Sequence, residues 1–352
     1  MKRIFAILLC LCMAIAIVAC ETPAKEAEYK LGMGVVVSTA SSKTGTAQVD
    51  ATVAAVVTDA NGKIVACRID VAQNKMNIAD GEVEANKTFK TKMELGTDYG
   101  MATSPYSPDN NGDGKVLEWD VQAKAFEAYV VGKTVAEVKA MTTKEVNAHQ
   151  ISTDDALLSA GCTIQITDFR DAVVAACEDT QGMSFKAVEG SFTLGVAATT
   201  TAAESTAATA DEDGLVAMYT DFAASVVVDG KIVATVNDAI QPKITINTDG
   251  EIVSAAYTAT KRNLKEDYNM AKYGQAMDWN GDGKVLEWYL QSEAFSKYVV
   301  GKTAAEVEGM ATKTVEGAGY VISADDALLS AGCTIQITSI KAVVAQSVKN
   351  AR

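Results

Sequence analysis

The chain carries one histidine, His149, and this scarcity excludes a good deal. A Ser-His-Asp or Cys-His hydrolase rests on that single side chain, and a His-ligated zinc or bis-His haem centre lacks its second ligand. Positive charge is also short: 31 Lys and Arg face 45 Asp and Glu, for a formal charge of −14. No basic patch is present to meet a phosphate backbone, so no nucleic-acid partner is expected. Cysteine is sparse and unpatterned. Cys10 and Cys12 fall in an N-terminal apolar run, while Cys67, Cys162, Cys177 and Cys333 show no C-x-x-C spacing. They read as small buried thiols, with no disulfide framework.

Apart from that N-terminal run, no segment is apolar enough to span a bilayer. Lys2 and Arg3 precede apolar residues 4–18, which close on Ile17-Val18-Ala19-Cys20. This resembles the lipobox of bacterial lipoproteins. Residues 1–19 are then a signal peptide, Cys20 the acylated first residue of the mature chain, and 20–28 a tether. Two acyl chains suffice for stable anchoring. The expected location is the outer face of the cytoplasmic membrane, at the cell surface.

What is present is a duplication. Residues 154–167 recur letter for letter at 325–338, Asp-Asp-Ala-Leu-Leu-Ser-Ala-Gly-Cys-Thr-Ile-Gln-Ile-Thr. Gly62-Lys63-Ile64-Val65-Ala66 returns from Gly230, residues 112–119 return at 281–288, and Tyr129-Val130-Val131-Gly132-Lys133-Thr134 returns from Tyr298. A period of 168 to 171 residues is too long for a solenoid unit, so the expectation is two tandem domains, 29–179 and 183–352. Residues 178–182 form a short polar join. Residues 197–214, Ala/Thr-rich and then acidic, predict a flexible insertion.

Each copy shows the same local signals. Alternating residues 48–58, the turn Asp59-Ala60-Asn61-Gly62 and alternating 63–71 predict a β-hairpin, as do 222–228, Asp229-Gly230 and 231–236. Residues 117–131 predict a helix with Trp119, Gln122, Ala123, Phe126 and Val130 on one face and Gly132 beyond its end. Thr134-Val-Ala-Glu137 and Thr303-Ala-Ala-Glu306 are capping boxes, and Ala/Val-rich helices follow at 170–177 and 341–349. Strands mixed with helices predict an α+β class, each domain a small antiparallel sheet with packed helices.

Chemistry has few candidate places. Around Thr163 and Thr334 the residues are small, including Ser159, Gly161, Ser330 and Gly332, which leaves two hydroxyls with few bulky neighbours. A tight helix-to-strand junction needs the same residue types. Asp109-x-Asn111-x-Asp113-Gly and Asp278-x-Asn280-x-Asp282-Gly match the first half of a calcium loop. Position twelve holds Asp120 or Tyr289 where a bidentate Glu is needed, and Glu118 and Glu287 stand at ten. An Asn/Asp/Gly turn before a helix fits equally. Asp70 with Gln73, and Asp238 with Gln241, follow the second strand, at a ligand cleft or a solvated strand end.

The alternating strands, the turn, the small-residue block ending in Thr and the final Ala/Val helix together resemble the FMN-binding domain. That domain occurs in flavin-carrying subunits of ion-coupled redox pumps and, in tandem, in surface lipoproteins of extracellular electron transfer. The resemblance spans both repeats. It implies FMN joined through a phosphoester to Thr163 and Thr334 by an exported flavin transferase. The family's Asp, six positions before the acceptor, is replaced by Leu157 and Leu328, with Asp155 and Asp326 eight before. Cys162 and Cys333 stand where the family has Ala. Trp119, Phe126, Tyr129, Trp288, Phe295 and Tyr298 then become candidates for stacking on the flavin, or for core.

The expected function is a lipid-anchored flavoprotein relaying electrons from a membrane dehydrogenase or quinone-linked donor to outside acceptors. It is a carrier with no acid–base residues of its own. The alternative is a non-catalytic surface binding or adhesion lipoprotein without flavin, stabilised or not by calcium.

Overall fold

Period-two alternation sorts the apolar side chains before any tertiary contact forms. A computed structural model describes residues 25–104, 109, 112–146, 148–273, 278–279, 281–316 and 319–352. The leader with Cys20, and Asn111 and Asn280, lie outside the described residues.

Repeat 1 opens with three antiparallel strands, β1 (Glu26–Ser38), β2 (Thr46–Asp59) and β3 (Ile64–Asn77). The β2–β3 turn closes because the Asp59 carboxylate accepts the N–H groups of Asn61 and Lys63, both at 2.9 Å. Helices α1 (Lys92–Leu95), α2 (Trp119–Val130) and α3 (Val135–Lys139) follow. A short ribbon, β4 (Thr143–Val146) and β5 (His149–Ser152), leads to α4 (Asp155–Ser159) and α5 (Thr167–Cys177). The Thr134–Glu137 capping box forms as expected.

In β2, Val49, Ala51, Val53, Ala55 and Val57 face one way, while Ala54 and Val56 meet α5 through Ala172, Val173 and Ala176. That helix lies hard against β1. A Cβ added at Gly34 would stand 2.2 Å from the Ala172 carbonyl oxygen, and one at Gly32 2.0 Å from that of Ala176. Only glycine allows this approach.

The chain next adds β6 (Met183–Val188) to the same sheet, in the order β3-β2-β1-β6. Repeat 2 then forms β7 (Thr193–Thr201), β8 (Gly214–Val216), β9 (Tyr219–Val228), β10 (Lys231–Ile240), β11 (Lys243–Ile246) and β12 (Ile252–Ala256). Its helical part is α6 (Lys261–Leu264), α7 (Met270–Tyr273), α8 (Trp288–Tyr298) and α9 (Ala304–Glu308). The ribbon β13 (Thr312–Thr314) and β14 (Val321–Ser323), then α10 (Asp326–Ser330) and α11 (Thr338–Lys349), complete it. The main sheet runs β10-β9-β7, and β12-β11-β8 form a small sheet beside it.

The two main sheets share one core. Leu31, Met33, Val53, Ala55 and Met76 of repeat 1 are buried in one cluster with Leu194, Val196, Phe222, Ala224 and Val236 of repeat 2. Each sheet carries its own helices on the far side, giving helix, sheet, sheet, helix. Polar pins cross the seam. Asn74 donates to Thr200 and Thr220 at 3.0 and 3.2 Å. Asp179 pairs with buried Arg262 at 3.2 Å, and Arg352 makes a two-pronged pair with buried Glu127 at 3.0–3.1 Å.

Three expectations change. Strand β1 begins inside the segment read as a tether. The boundary at 183 falls in β6, which belongs to the first sheet because it pairs with β1 from Glu26↔Val188 to Leu31↔Met183. Residues 197–201 lie in strand β7, not in a flexible insertion. Ala197 is buried on the α11 side and Ala198 on the shared-core side. Their smallness serves close packing, as at Gly195, where a Cβ would stand 1.9 Å from the Ser347 carbonyl oxygen.

Candidate functional site

The repeated block forms a junction between two helices. Asp154 caps α4 by accepting the Ala156 N–H at 2.8 Å and the Tyr129 hydroxyl at 2.5 Å, which holds its carboxyl below the usual range. Asp325 does the same with Ala327 and Tyr298. Gly161 then turns at φ +94°, and a Cβ there would stand 2.6 Å from Leu117; Gly332 repeats this against Leu286 at 2.5 Å. Cys162 and Cys333 follow, buried, with thiols pushed up to about 12 by desolvation, which removes them as nucleophiles.

Thr163 is held by Gln122 on α2. Its N–H and its hydroxyl both donate to Gln122 Oε1, at 2.9 and 3.2 Å, while Gln122 Nε2 donates to the Leu117 carbonyl at 2.8 Å. Thr334 and Gln291 repeat the bracket at 2.8, 3.2 and 2.7 Å. The expectation of open hydroxyls is corrected here: Thr163 and Thr334 are 8% and 5% exposed. The glutamines draw the junction beneath α2 and α8.

Thr163 nevertheless lines a cavity of about 650 Å³ between the sheet and the helices of repeat 1. Gln48, Asp50 and Thr52 of β2 and Gln73 of β3 form its floor, with Tyr99, Trp119, His149, Asp168 and Phe169 around it. The volume lies within the ~300–1,000 Å³ of small-molecule sites. Lys92 stands over the Tyr99 and Trp119 rings, at 4.8 and 5.4 Å from their centroids, and Lys261 over Tyr268 and Trp288 at 5.2 and 5.3 Å. The Tyr99 hydroxyl donates to Gln73 at 3.4 Å and that of Tyr268 to Gln241 at 3.1 Å. Glu118 clamps the segment above by accepting the Met101 and Ala102 N–H groups at 2.9 and 3.1 Å, and Glu287 accepts those of Met270 and Ala271.

Several predicted site residues sit elsewhere. Asp155, Asp326, Ser159 and Ser330 are exposed on α4 and α10, and none of them lines the cavity. Asp70 is buried and accepts the Val71 and Met93 N–H groups, so it braces the start of α1; burial pushes its carboxyl up to about 7. Asp238 braces α6 the same way through the Ala239 and Arg262 N–H groups. Of the aromatic candidates in repeat 1, Trp119 walls the cavity, Phe126 packs on Phe169 in the core, and Tyr129 meets Lys133 outside.

In the calcium candidate, Asp109 accepts the N–H groups of Gly112, Asp113 and Gly114 at 2.8, 3.2 and 2.7 Å. Asp113 accepts that of Lys115, and Asp278 and Asp282 repeat the pattern. These carboxylates tie off a turn. Among the described residues no three His, Cys, Asp or Glu side chains gather as a metal site.

Sequence reading missed Lys92, Lys261, Asp168 and Asp221, and took Gln122 only as a helix-face residue. A signal was available: Lys92 and Tyr99, seven apart, recur as Lys261 and Tyr268. Among the described residues no helix is long and apolar enough to cross a membrane. Compared with protein-family models, curated proteins and solved structures, the chain matches none.

Proposed function

We propose that each repeat holds one flavin mononucleotide, tethered through its phosphate to Thr163 or Thr334. The chain is anchored by lipid on Cys20 at the outer face of the cytoplasmic membrane and relays electrons from a membrane dehydrogenase or quinone-linked donor to outside acceptors. The observation that carries this reading is that Thr163, the acceptor implied by the family resemblance, lines the 650 Å³ cavity. The donor set suits such a group. Trp119, Tyr99 and Phe169 give flat apolar walls, and Gln48, Gln73 and Thr52 give neutral hydrogen-bonding groups around them. The flavin, when bound, supplies the redox chemistry. The chain's own task is to hold and shield it. Gln122 keeps the acceptor in place through the Thr163 N–H, while the longer hydroxyl bond, 3.2 Å, is the one to break when the oxygen is modified.

The same Gln–Thr bracket favours a second reading, in which the block is a structural junction of a surface binding lipoprotein that takes its ligand without a covalent bond. Co-expression with a flavin transferase separates the two. The expected result is flavin fluorescence that survives boiling and gel electrophoresis, reduced by about half in Thr163→Ala and in Thr334→Ala and lost in the double variant. A protein that binds flavin but releases it on denaturation supports the second reading. One that takes up no flavin ends the first.

A further inference from the structure

The repeated block is letter-identical from Asp154 to Thr167 and from Asp325 to Thr338, and the identity stops where an acid changes place. Position 168 is Asp on the first turn of α5, and its counterpart in repeat 2 is Ser339. Repeat 2 has an acid elsewhere. Asp221 lies on β9 opposite Ala239, and the matching residue of repeat 1, opposite Val71, is Thr52. Asp168 and Thr52 line the same cavity. In repeat 2 burial raises the Asp221 carboxyl, and Ser339 is near enough to oppose that rise. Each repeat therefore has one carboxylate and one hydroxyl at this position, supplied by opposite elements.

The neighbour is constant. Lys92 in repeat 1 and Lys261 in repeat 2 are held over the same Tyr and Trp rings. Burial raises both carboxyls, and in each case the lysine opposes the rise. No salt bridge of 4 Å or less joins either pair among the described residues, and in repeat 1 Lys92 and Asp168 both line the 650 Å³ cavity.

We infer that Lys92 with Asp168, and Lys261 with Asp221, recognise the edge of a cyclic imide, the lysine donating to a ring carbonyl and the carboxylate accepting from the adjacent ring N–H. An ammonium beside a carboxylate presents a donor–acceptor order that such an edge complements. Unmatched polar groups in a partly buried site penalise a ligand that lacks the N–H. The inference deepens the flavin reading and rests on it for the identity of the ligand, since isoalloxazine has this edge. A pyrimidine shares the chemistry.

The test uses the full chain without attached flavin and follows tryptophan fluorescence. Lumiflavin has the imide N–H but neither ribityl chain nor phosphate, and 3-methyllumiflavin has the N–H blocked. Lumiflavin is expected to bind at least tenfold tighter than its methylated form, and uridine to compete weakly. In the Asp168→Ala/Asp221→Ala variant the two flavins should bind alike. Lys92→Met/Lys261→Met should weaken both while keeping the preference. Thermal melting checks that the variants fold. Equal binding of the two probes by the parent chain, no binding of either, or a preference that survives loss of both carboxylates overturns the inference. Tighter binding of uridine than of lumiflavin reassigns the ligand to a pyrimidine and overturns the flavin assignment. Because neither flavin probe can be esterified, failure of attachment at Thr163 and Thr334 is read separately.

Discussion

Repeat 1 receives the Arg352 guanidinium of repeat 2 on a buried carboxylate, whereas repeat 2 receives the Arg68 guanidinium of repeat 1 on a backbone carbonyl, that of Arg352. Glu127 on α2 is buried, accepts the Ile69 N–H at 2.9 Å and pairs with Arg352. At the corresponding place α8 has Ser296, which accepts from Asn237 at 2.9 Å. Repeat 2 is instead tied to the join at 178–182, where Arg262 meets Asp179 and the Gln181 carbonyl. The cleft parts behave in the opposite way. The Gln–Thr bracket, the caged lysine and a carboxylate are kept in both copies, even when the carboxylate must come from another element. The seams between repeats need only some satisfied polar pairing, and many side chains provide it. The two junctions and their neighbouring lysines keep particular groups at particular points.

The largest effect is expected in the shared core. Phe222→Ala removes a fully buried ring from the cluster common to both sheets and should cost about 3–5 kcal/mol. Hydrogen exchange should show both repeats losing protection together. Phe126→Ala, in the helix-side core of repeat 1, should loosen that layer first. If Phe222→Ala opens only repeat 2, the repeats unfold separately and the single-core comparison fails.

Acidity gives the next contrast. Asp70 has its carboxyl raised from 3.8 to about 7 by burial, so the folded chain holds that proton more tightly than the unfolded chain. Its contribution is fully present below about pH 4 and is lost as pH rises through about 7, on the order of 4 kcal/mol at 1.36 per unit. Asp238 is raised by burial too, but Arg262 opposes the shift, where repeat 1 has Met93. Melting temperatures across this range should therefore flatten more in Asp70→Asn than in Asp238→Asn. An equal change in the two would show that Arg262 does not distinguish them.

A smaller difference is expected at the seam itself. Glu127→Ala leaves Arg352 and Arg68 without their carboxylate and should cost about 2–3 kcal/mol, below the ~3–5 of a fully buried pair because Arg352 is 43% exposed. Ser296→Ala should cost about 1 kcal/mol. Urea denaturation of both variants measures the gap.

Much of the local structure was legible. Thr134 and Glu137, or Thr303 and Glu306, announce a helix start because the cap needs only residues three apart. The hairpin turns and the apolar face of α2 are equally local. Residues 197–201 were misread for lack of bulky side chains, although smallness is what close packing against α11 requires. At the site, Thr163 and Thr334 were visible through repetition. Lys92 was not, because its meaning depends on Trp119, twenty-seven residues away, being folded back beneath it.

By itself the sequence determined the duplication, the α+β elements and their caps, since each follows from side chains a few residues apart. Only the tertiary structure decided that the two sheets meet face to face, that β6 joins the first sheet, and that Asp168 and Asp221 serve equivalent places. Those relations depend on groups brought together across the fold, where burial and exclusion of water give a charge or hydrogen bond its weight.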